Sequence, residues 1–250
     1  MIYIGYVTRI NSGGKQIAVS GNKARAEIIA NLTGGELFEI HKDSIKPDEK
    51  SVVVIDDNHE TNLRVPGYKI RLSDKIGIQL SDYDETICFN DLDVFTVKHS
   101  LNENAWQGHG GYVVFAPGGA ETDFWERASV YHHYCEQQGI PFFIAKDLDH
   151  NRFMNLVRYA EIVVTASGVT LHEMVYQAVP TIAILTSDNQ IGNYTRFVSS
   201  RMSAPQDIDP GVINNVDVIL EMNKNCRNEK KKTMINIARY ITEKHDEINR

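Results

Sequence analysis

Three short stretches carry residue types able to hold a phosphorylated ligand. Ala116-Pro117-Gly118-Gly119-Ala120-Glu121 closes the apolar run YVVFAP, and a glycine pair there leaves backbone N–H groups open to phosphate oxygens. Ala166-Ser167-Gly168-Val169-Thr170 ends a second run, EIVVTA, and enters a helical pattern that contains Glu173. A helix opening on a small-residue turn offers unpaired amides and the positive end of its dipole, a seat for phosphate. Ser167 is placed to cap it. A carboxylate such as Glu173 accepts two hydrogen bonds and can hold both hydroxyls of a ribose. Ser187-Asp188-Asn189-Gln190 ends a third run, PTIAIL, with amides suited to phosphate or sugar hydroxyls. Each stretch also has a plain structural role open to it. Glycine pairs make tight turns, acids stabilise a helix start by up to about 1 kcal/mol, and Ser, Asp and Asn cap helices. Three such loops on one sheet edge would suit a nucleotide with a diphosphate.

The loops act together only if the runs before them are neighbouring parallel strands. Between residues 112 and 185 the sequence alternates accordingly: YVVFAP, a helical TDFWERASVYHHYCEQQG, IPFFIA, a helical HNRFMNLVRYA, EIVVTA, a helical GVTLHEMVYQA and PTIAIL. Apolar runs of that length read as strands covered on both faces, and the alternation implies a doubly wound α/β sheet. Leu171, Val175 and Ala178 form the helix stripe that faces the sheet, and Glu173 lies off it. The first hundred residues open as strand IYIGYV, a loop with Ser12-Gly13-Gly14 and a helix near Lys23–Asn31; ELFEI, SVVVIDD, YKIRL, ETICFN and DVFTVK follow as short strands. SLNENAWQGHGG reads as a linker or an irregular connection. The expected units are residues 1–105, residues 106–235 and a final helix, 236–250, returning to the first unit. Met234, Ile235, Ala238 and Ile241 are its expected apolar stripe.

In the first half Asp56 and Asp57 end the run SVVVI and face any ligand there, so one of them can serve as a general base; acids at strand ends are also ordinary turn formers. His132 and His133 are adjacent on a helix and point apart, which disfavours joint metal ligation. Glu229-Lys230-Lys231-Lys232 reads as a solvated helix start. Cys88, Cys135 and Cys226 stand in no CxxC spacing, so neither a disulfide framework nor a zinc site is indicated. A net charge of -7 and a pI near 5.7 count against nucleic acid as a partner. The opening MIYIGYVTRINSGG lacks a basic segment followed by a long apolar one, and no apolar run reaches membrane-spanning length. A cytoplasmic protein without membrane insertion is expected.

With its three loops in order, the chain resembles the GT-B superfamily of UDP-sugar enzymes. The likeness is strongest from Val113 to about Phe197, and is nearest to the UDP-sugar hydrolases of pseudaminic acid biosynthesis, then to the peptidoglycan N-acetylglucosaminyltransferases. It implies two Rossmann-like domains with a cleft between them. It also implies pyrophosphate contacts for Gly118, Gly119, Ser167, Gly168 and Thr170, ribose contact for Glu173, and diphosphate or sugar contact for Asn189 and Gln190. The loop Leu148 to His150 would receive the uracil, largely through backbone groups. The hydrolases open their first helix with Gly-His-x-x-Arg, where this chain has Gly21-Asn22-Lys23-Ala24-Arg25. Asn22 can orient a group but has no proton to exchange near neutral pH, which leaves Asp57 as the first candidate base. The expectation is a UDP-sugar-dependent glycosyltransferase acting on an unidentified acceptor without an obligatory metal. A UDP-sugar hydrolase and a noncatalytic nucleotide-sugar-binding protein are the alternatives.

Overall fold

The computed structural model describes residues 1–10, 16–18, 20–40, 42–56, 64–73, 82–88, 94–95, 101–117, 121–146, 148–229 and 232–250; for 8–10, 16–18, 20–22, 24, 88, 94–95 and 232–233 it describes the backbone alone. Two compact units make up the chain, Met1–His99 with Lys231–Arg250, and Ser100–Lys230.

The first unit opens with β1 (Ile2–Tyr6), the antiparallel pair β2 (Thr8–Ile10) and β3 (Gln16–Ala18), and α1 (Ser20–Thr33). β4 (Glu36–Glu39), β5 (Val52–Asp56), β6 (Tyr68–Ser73), β7 (Glu85–Cys88) and the short β8 (Val94–Phe95) follow. Its parallel sheet has the order β4-β1-β5-β6-β7. Chain direction across the sheet thus reverses between β1 and β5, the place where an open α/β sheet offers a crevice beyond its carboxyl ends. Val52 to Asp56 are all buried because the sheet is covered on both faces. Ile4, Val54, Ile70 and Leu72 pack with Ile28 and Ile29 of α1, while Tyr3, Phe38, Val53, Ile55 and Tyr83 form the opposite layer. β1 fits into that layer because Gly5 has no side chain; a Cβ there would lie 2.5 Å from Phe38 Cζ.

A charge ends β5. Arg25 of α1 grips Asp56 with two prongs, Nε to Oδ2 at 2.7 Å and Nη2 to Oδ1 at 2.9 Å. Both residues are buried, at 4% and 0% exposure, so this bidentate pair pins the helix to the strand end.

The second unit begins with an irregular connection that is firmly held. Trp106 is buried, its Nε1 donating to Ala160 O at 2.8 Å, and the amides of Asn104, Trp106, Gln107 and Gly110 donate to carbonyls of Tyr176, Gln177, Arg158 and Tyr159. β9 (Val113–Ala116), α2 (Glu121–Gln138), β10 (Phe142–Ile144), α3 (His150–Tyr159), β11 (Ile162–Ala166), α4 (Val169–Tyr176) and β12 (Thr181–Ile184) then alternate. A 3-10 turn (Asp188–Gln190), α5 (Ile191–Ser199), a second 3-10 turn (Pro210–Asn214) and α6 (Val216–Asn228) complete the unit. The sheet is parallel, ordered β10-β9-β11-β12, and Ala204 adds a parallel bridge beside Ile182 at its far edge. Its reversal falls between β9 and β11. Cys135 and Cys226 are buried, and burial pushes the Cys135 thiol up to about 11, so it stays protonated at neutral pH.

The chain then returns to the first unit as β13 (Lys232–Thr233), paired with β8, and α7 (Met234–Ile248). Glu229 closes α6 and Lys232 lies in a strand, which corrects the helix start expected there. The α7 stripe also differs: Met234, Ile237, Ala238 and Ile241 are buried while Ile235 is 44% exposed. Spacing of i, i+3, i+4, i+7 fits one helix face, whereas Ile235 follows Met234 by one step and turns away. This face packs with Ile28 and Ile29 of α1. Among the described residues no helix is long and apolar enough to cross a membrane.

Replacing Arg25 by Ala removes the guanidinium that binds both oxygens of the buried Asp56 carboxylate, and breaking such a pair costs about 3–5 kcal/mol. Chemical denaturation of the Arg25→Ala variant should therefore show its midpoint, or that of the first unit if the units unfold separately, far below the parent's.

Candidate functional site

The carboxyl ends of β9, β11 and β12 are tied to each other by side chains. Thr165, the polar residue in the buried run IVVTA, donates its hydroxyl to Ala116 O at 3.0 Å, joining the ends of β11 and β9 at the reversal. Ser167 donates twice to the carbonyl of Ile184, through its amide at 2.9 Å and its hydroxyl at 3.0 Å. The Ser167 carbonyl in turn accepts from Nδ2 of buried Asn193 at 3.2 Å.

These bonds correct the capping role expected of Ser167. Gly168 is the N-cap of α4, and no side chain caps it. The Ser167 hydroxyl goes instead to the carbonyl at the end of β12, which without a partner would carry a desolvation penalty. Leu171 N donates to Gly168 O at 3.1 Å, whereas the amides of Gly168, Val169 and Thr170 precede any intrahelical acceptor. The helix thus starts with donors and a positive dipole end facing outward from the strand edge.

Gln190 brings another donor to the same place. Its Oε1 accepts from the amide of Thr186 at 3.2 Å and the hydroxyl of Thr186 at 3.0 Å. A backbone N–H can only donate, so this pairing fixes which way the side-chain amide is turned. Its Nε2 then lies beside Gly168, 3.6 Å from where a Cβ on that glycine would stand. Asn189 is exposed, its Oδ1 accepting from Ser187 Oγ at 2.6 Å.

Glu173 is 8% exposed, on a helix whose Leu171, Met174 and Val175 are fully buried. It is therefore not the solvent-facing acid of a simple dipole effect. His172 beside it packs edge-on against Phe197 at 5.0 Å. Leu148 is 41% exposed in the loop after β10, Asp149 caps α3 by accepting from Arg152 N at 3.0 Å, and His150 opens that helix half-buried. Asn22 lies in the first turn of α1, its side chain outside the described residues. Gly118, Gly119 and Asp57 lie outside the described residues. Asp56, the other acid of that pair, is engaged by Arg25.

Ser167, Gly168, Thr170 and Gln190 thus meet at one strand edge, and Leu148 and His150 occupy the loop after β10. Thr165, Thr186 and Asn193 were not foreseen as site residues. Thr165 gave a faint signal as a hydroxyl in an apolar run; Asn193 gave none.

No family model matches the chain, and no curated protein matches it in sequence. Among solved structures it is similar to MurG of Acinetobacter baumannii, at 8% identity and a TM-score of 0.57, covering 98% of this chain and 99% of that one. The fold is GT-B. The glycosyltransferase SsfS6 of Streptomyces sp. SF2575, solved in complex with thymidine diphosphate, is also similar, at 7% identity, a TM-score of 0.49 and coverage of 97% and 100%. In this GT-B chain the turn that holds Ser167 and Gly168 leaves β11, one of the two strands that flank the reversal of the second sheet.

Asn193→Ala removes the donor to the Ser167 carbonyl and leaves that buried oxygen unpaired. A loss of about 1–3 kcal/mol is expected, measurable by urea denaturation, and Asn193→Asp should not restore it, because a carboxylate has no donor to give.

Proposed function

We propose that the protein is a nucleotide-sugar-dependent glycosyltransferase whose second unit binds the donor, a UDP-sugar, by its diphosphate. The observation that carries this reading is the orientation of Gln190. Its oxygen is held by Thr186 and its amide nitrogen is turned to the glycine that opens α4. The Gln190 amide and the main-chain donors that open α4 lie together at the carboxyl ends of β11 and β12, and the carboxyl ends of strands are where ligands of open α/β sheets bind. Gly118 and Gly119 complete the phosphate contacts in this reading. Glu173 holds the ribose hydroxyls, Asn189 reaches diphosphate or sugar, and the backbone of Leu148 to His150 takes the uracil.

In the transfer, an acceptor hydroxyl attacks the anomeric carbon while the bond from that carbon to the diphosphate oxygen breaks. Asp57 takes the hydroxyl proton, and the departing diphosphate keeps the electron pair. Donors aimed at that charge stabilise it in the transition state without reorganising. The assignment to Asp57 is supported by the neighbouring acid: Asp56 is bound on both oxygens by a buried guanidinium and has no role left as a base. Asn22 orients the acceptor.

Gly168→Ala tests the donor site. The added methyl meets its nearest neighbour, Gln190 Nε2, at 3.6 Å, an ordinary contact, so the fold is kept. The methyl occupies the space of the phosphate, and UDP should bind about tenfold more weakly or worse, ~1.4 kcal/mol. In a thermal-shift panel of UDP, TDP, ADP and GDP, the parent should be stabilised most by UDP and the variant little by any; a parent indifferent to all four would overturn the reading.

Asp57→Asn tests the base. Sugar transfer should be lost while the UDP-induced stabilisation is kept, and undiminished transfer would remove Asp57 from the role. Sugar release in the absence of acceptor would assign hydrolysis in place of transfer.

A further inference from the structure

Among the described residues, β4, β7, β10 and β12 are the edges of the two larger sheets, and three of them are guarded. β4 carries Glu36 and Glu39, β7 begins with Glu85, and β12 is covered by Ala204, whose amide donates to Thr181 O and whose carbonyl accepts from Ala183 N. Charged residues and covering segments are the usual protection of a strand edge against pairing with another chain. β10 has neither. It reads Phe142-Phe143-Ile144, with Phe143 48% and Ile144 46% exposed, and no strand among the described residues pairs with its outer side.

That outer side is symmetric about Phe143. Pro141 O accepts from Val113 N and Ala145 N donates to Phe115 O, so Pro141, Phe143 and Ala145 turn their backbone groups to β9. The N–H and C=O groups of Phe142 and Ile144 therefore point away from the sheet. Ile144 O accepts from Lys146 N at 3.0 Å and keeps a second lone pair. Tyr112 meets the Phe143 ring edge-on at 5.0 Å.

The charges at the two ends of β10 are complementary. α2 has no basic residue in its last turn to offset the negative end of its dipole. It carries exposed Glu136 there, whose neighbours His132 and His133 are charged only when protonated. This negative end adjoins the amino end of β10, since Ile140 N donates to Cys135 O at 2.9 Å. At the carboxyl end stands exposed Lys146, paired with Glu121 at 3.0 Å, and a surface pair of this kind parts at little cost.

We propose that β10 is a homodimer interface, in which two copies of this chain join their second sheets edge to edge, antiparallel about a two-fold axis at Phe143. Each Phe142 then exchanges two N–H···O bonds with the partner's Ile144, and the two Phe143 rings face each other across the axis. The same reversal sets each Lys146 beside the partner's Ile140, next to the negative end of α2. One patch thus supplies both halves of the contact, as a two-fold interface requires. The proposal is independent of the donor site, which uses none of these residues.

Sedimentation velocity of the full chain across about 1–100 μM, the range that reports a micromolar Kd, should show a species of twice 28.3 kDa. Phe143→Lys sets like charges face to face at the axis and should raise the dimer Kd about tenfold or more, with an unchanged circular dichroism spectrum. Lys146→Glu should raise it about 2- to 10-fold, the worth of two exposed ion pairs, and adding Glu136→Lys to that variant should bring the Kd back toward the parent's. The charge exchange reads this register alone, because association through another face leaves it unmoved. A parent that stays monomeric throughout, or a folded Phe143→Lys variant that dimerises like the parent, would overturn the interface. If Phe143→Lys does not fold, the charge exchange decides, and an unchanged Kd in Lys146→Glu or no recovery in the double variant overturns the assignment.

Discussion

The carbonyl of Ile184 is the point on which the candidate site depends. A strand end at the rim of a buried sheet leaves polar backbone groups that must be paired, and the cheapest donors would be the amides that open α4. Ser167 removes that competition by giving both its amide and its hydroxyl to Ile184, and Asn193 settles the Ser167 carbonyl in turn. The turn is thereby satisfied from within, and the amides of Gly168, Val169 and Thr170 find no acceptor inside α4. Gln190 follows the same logic, because Thr186 occupies its acceptor end and leaves its donor end to face Gly168. Rigidity and available donors are produced by one set of bonds.

The two units handle polar groups at their strand ends in different ways. In the second, neutral hydroxyls and amides do the work, through Thr165, Ser167, Asn193 and Thr186. In the first, a full ion pair between Arg25 and Asp56 fixes α1 against β5. A buried ion pair contributes little net stability over an apolar replacement of similar shape, yet it is costly to leave half-made. It specifies where the helix start sits more than it strengthens the fold. That start carries Asn22.

Much of the fold was legible because parallel strands covered on both faces leave unbroken apolar runs. VVVID and IVVTA announce themselves as buried strands, and the small-residue turns after YVVFAP and EIVVTA mark where the sheet edge opens. The doubly wound order of the second sheet follows from that alternation. What was illegible depends on partners distant in sequence. Nothing near Asn193 says that its amide reaches Ser167, 26 positions earlier. Trp106 sits in a polar stretch that reads as a linker, and only the carbonyl of Ala160, 54 positions on, explains its burial. Ser167 looked like a cap because its local context is that of a cap; the competing acceptor comes from another strand. Ile235 and Ile237 are equally apolar, and the face that α1 presents to α7 decides between them.

The first unit is assembled from two stretches separated by the whole of the second. Its inner layer includes Met234, Ile237 and Ile241, packed with α1, and Tyr240 donates to Glu85 of β7 at 2.6 Å. A ribosome releasing this chain therefore delivers every residue of the later unit before the earlier one can close its interior. The portion made first must wait, without the side of its core that Met234, Ile237 and Ile241 supply, for the portion made last. Domains generally fold as units during synthesis, the N-terminal one first; here the order is inverted, and the nascent amino-terminal half is the part that would need shelter from a chaperone.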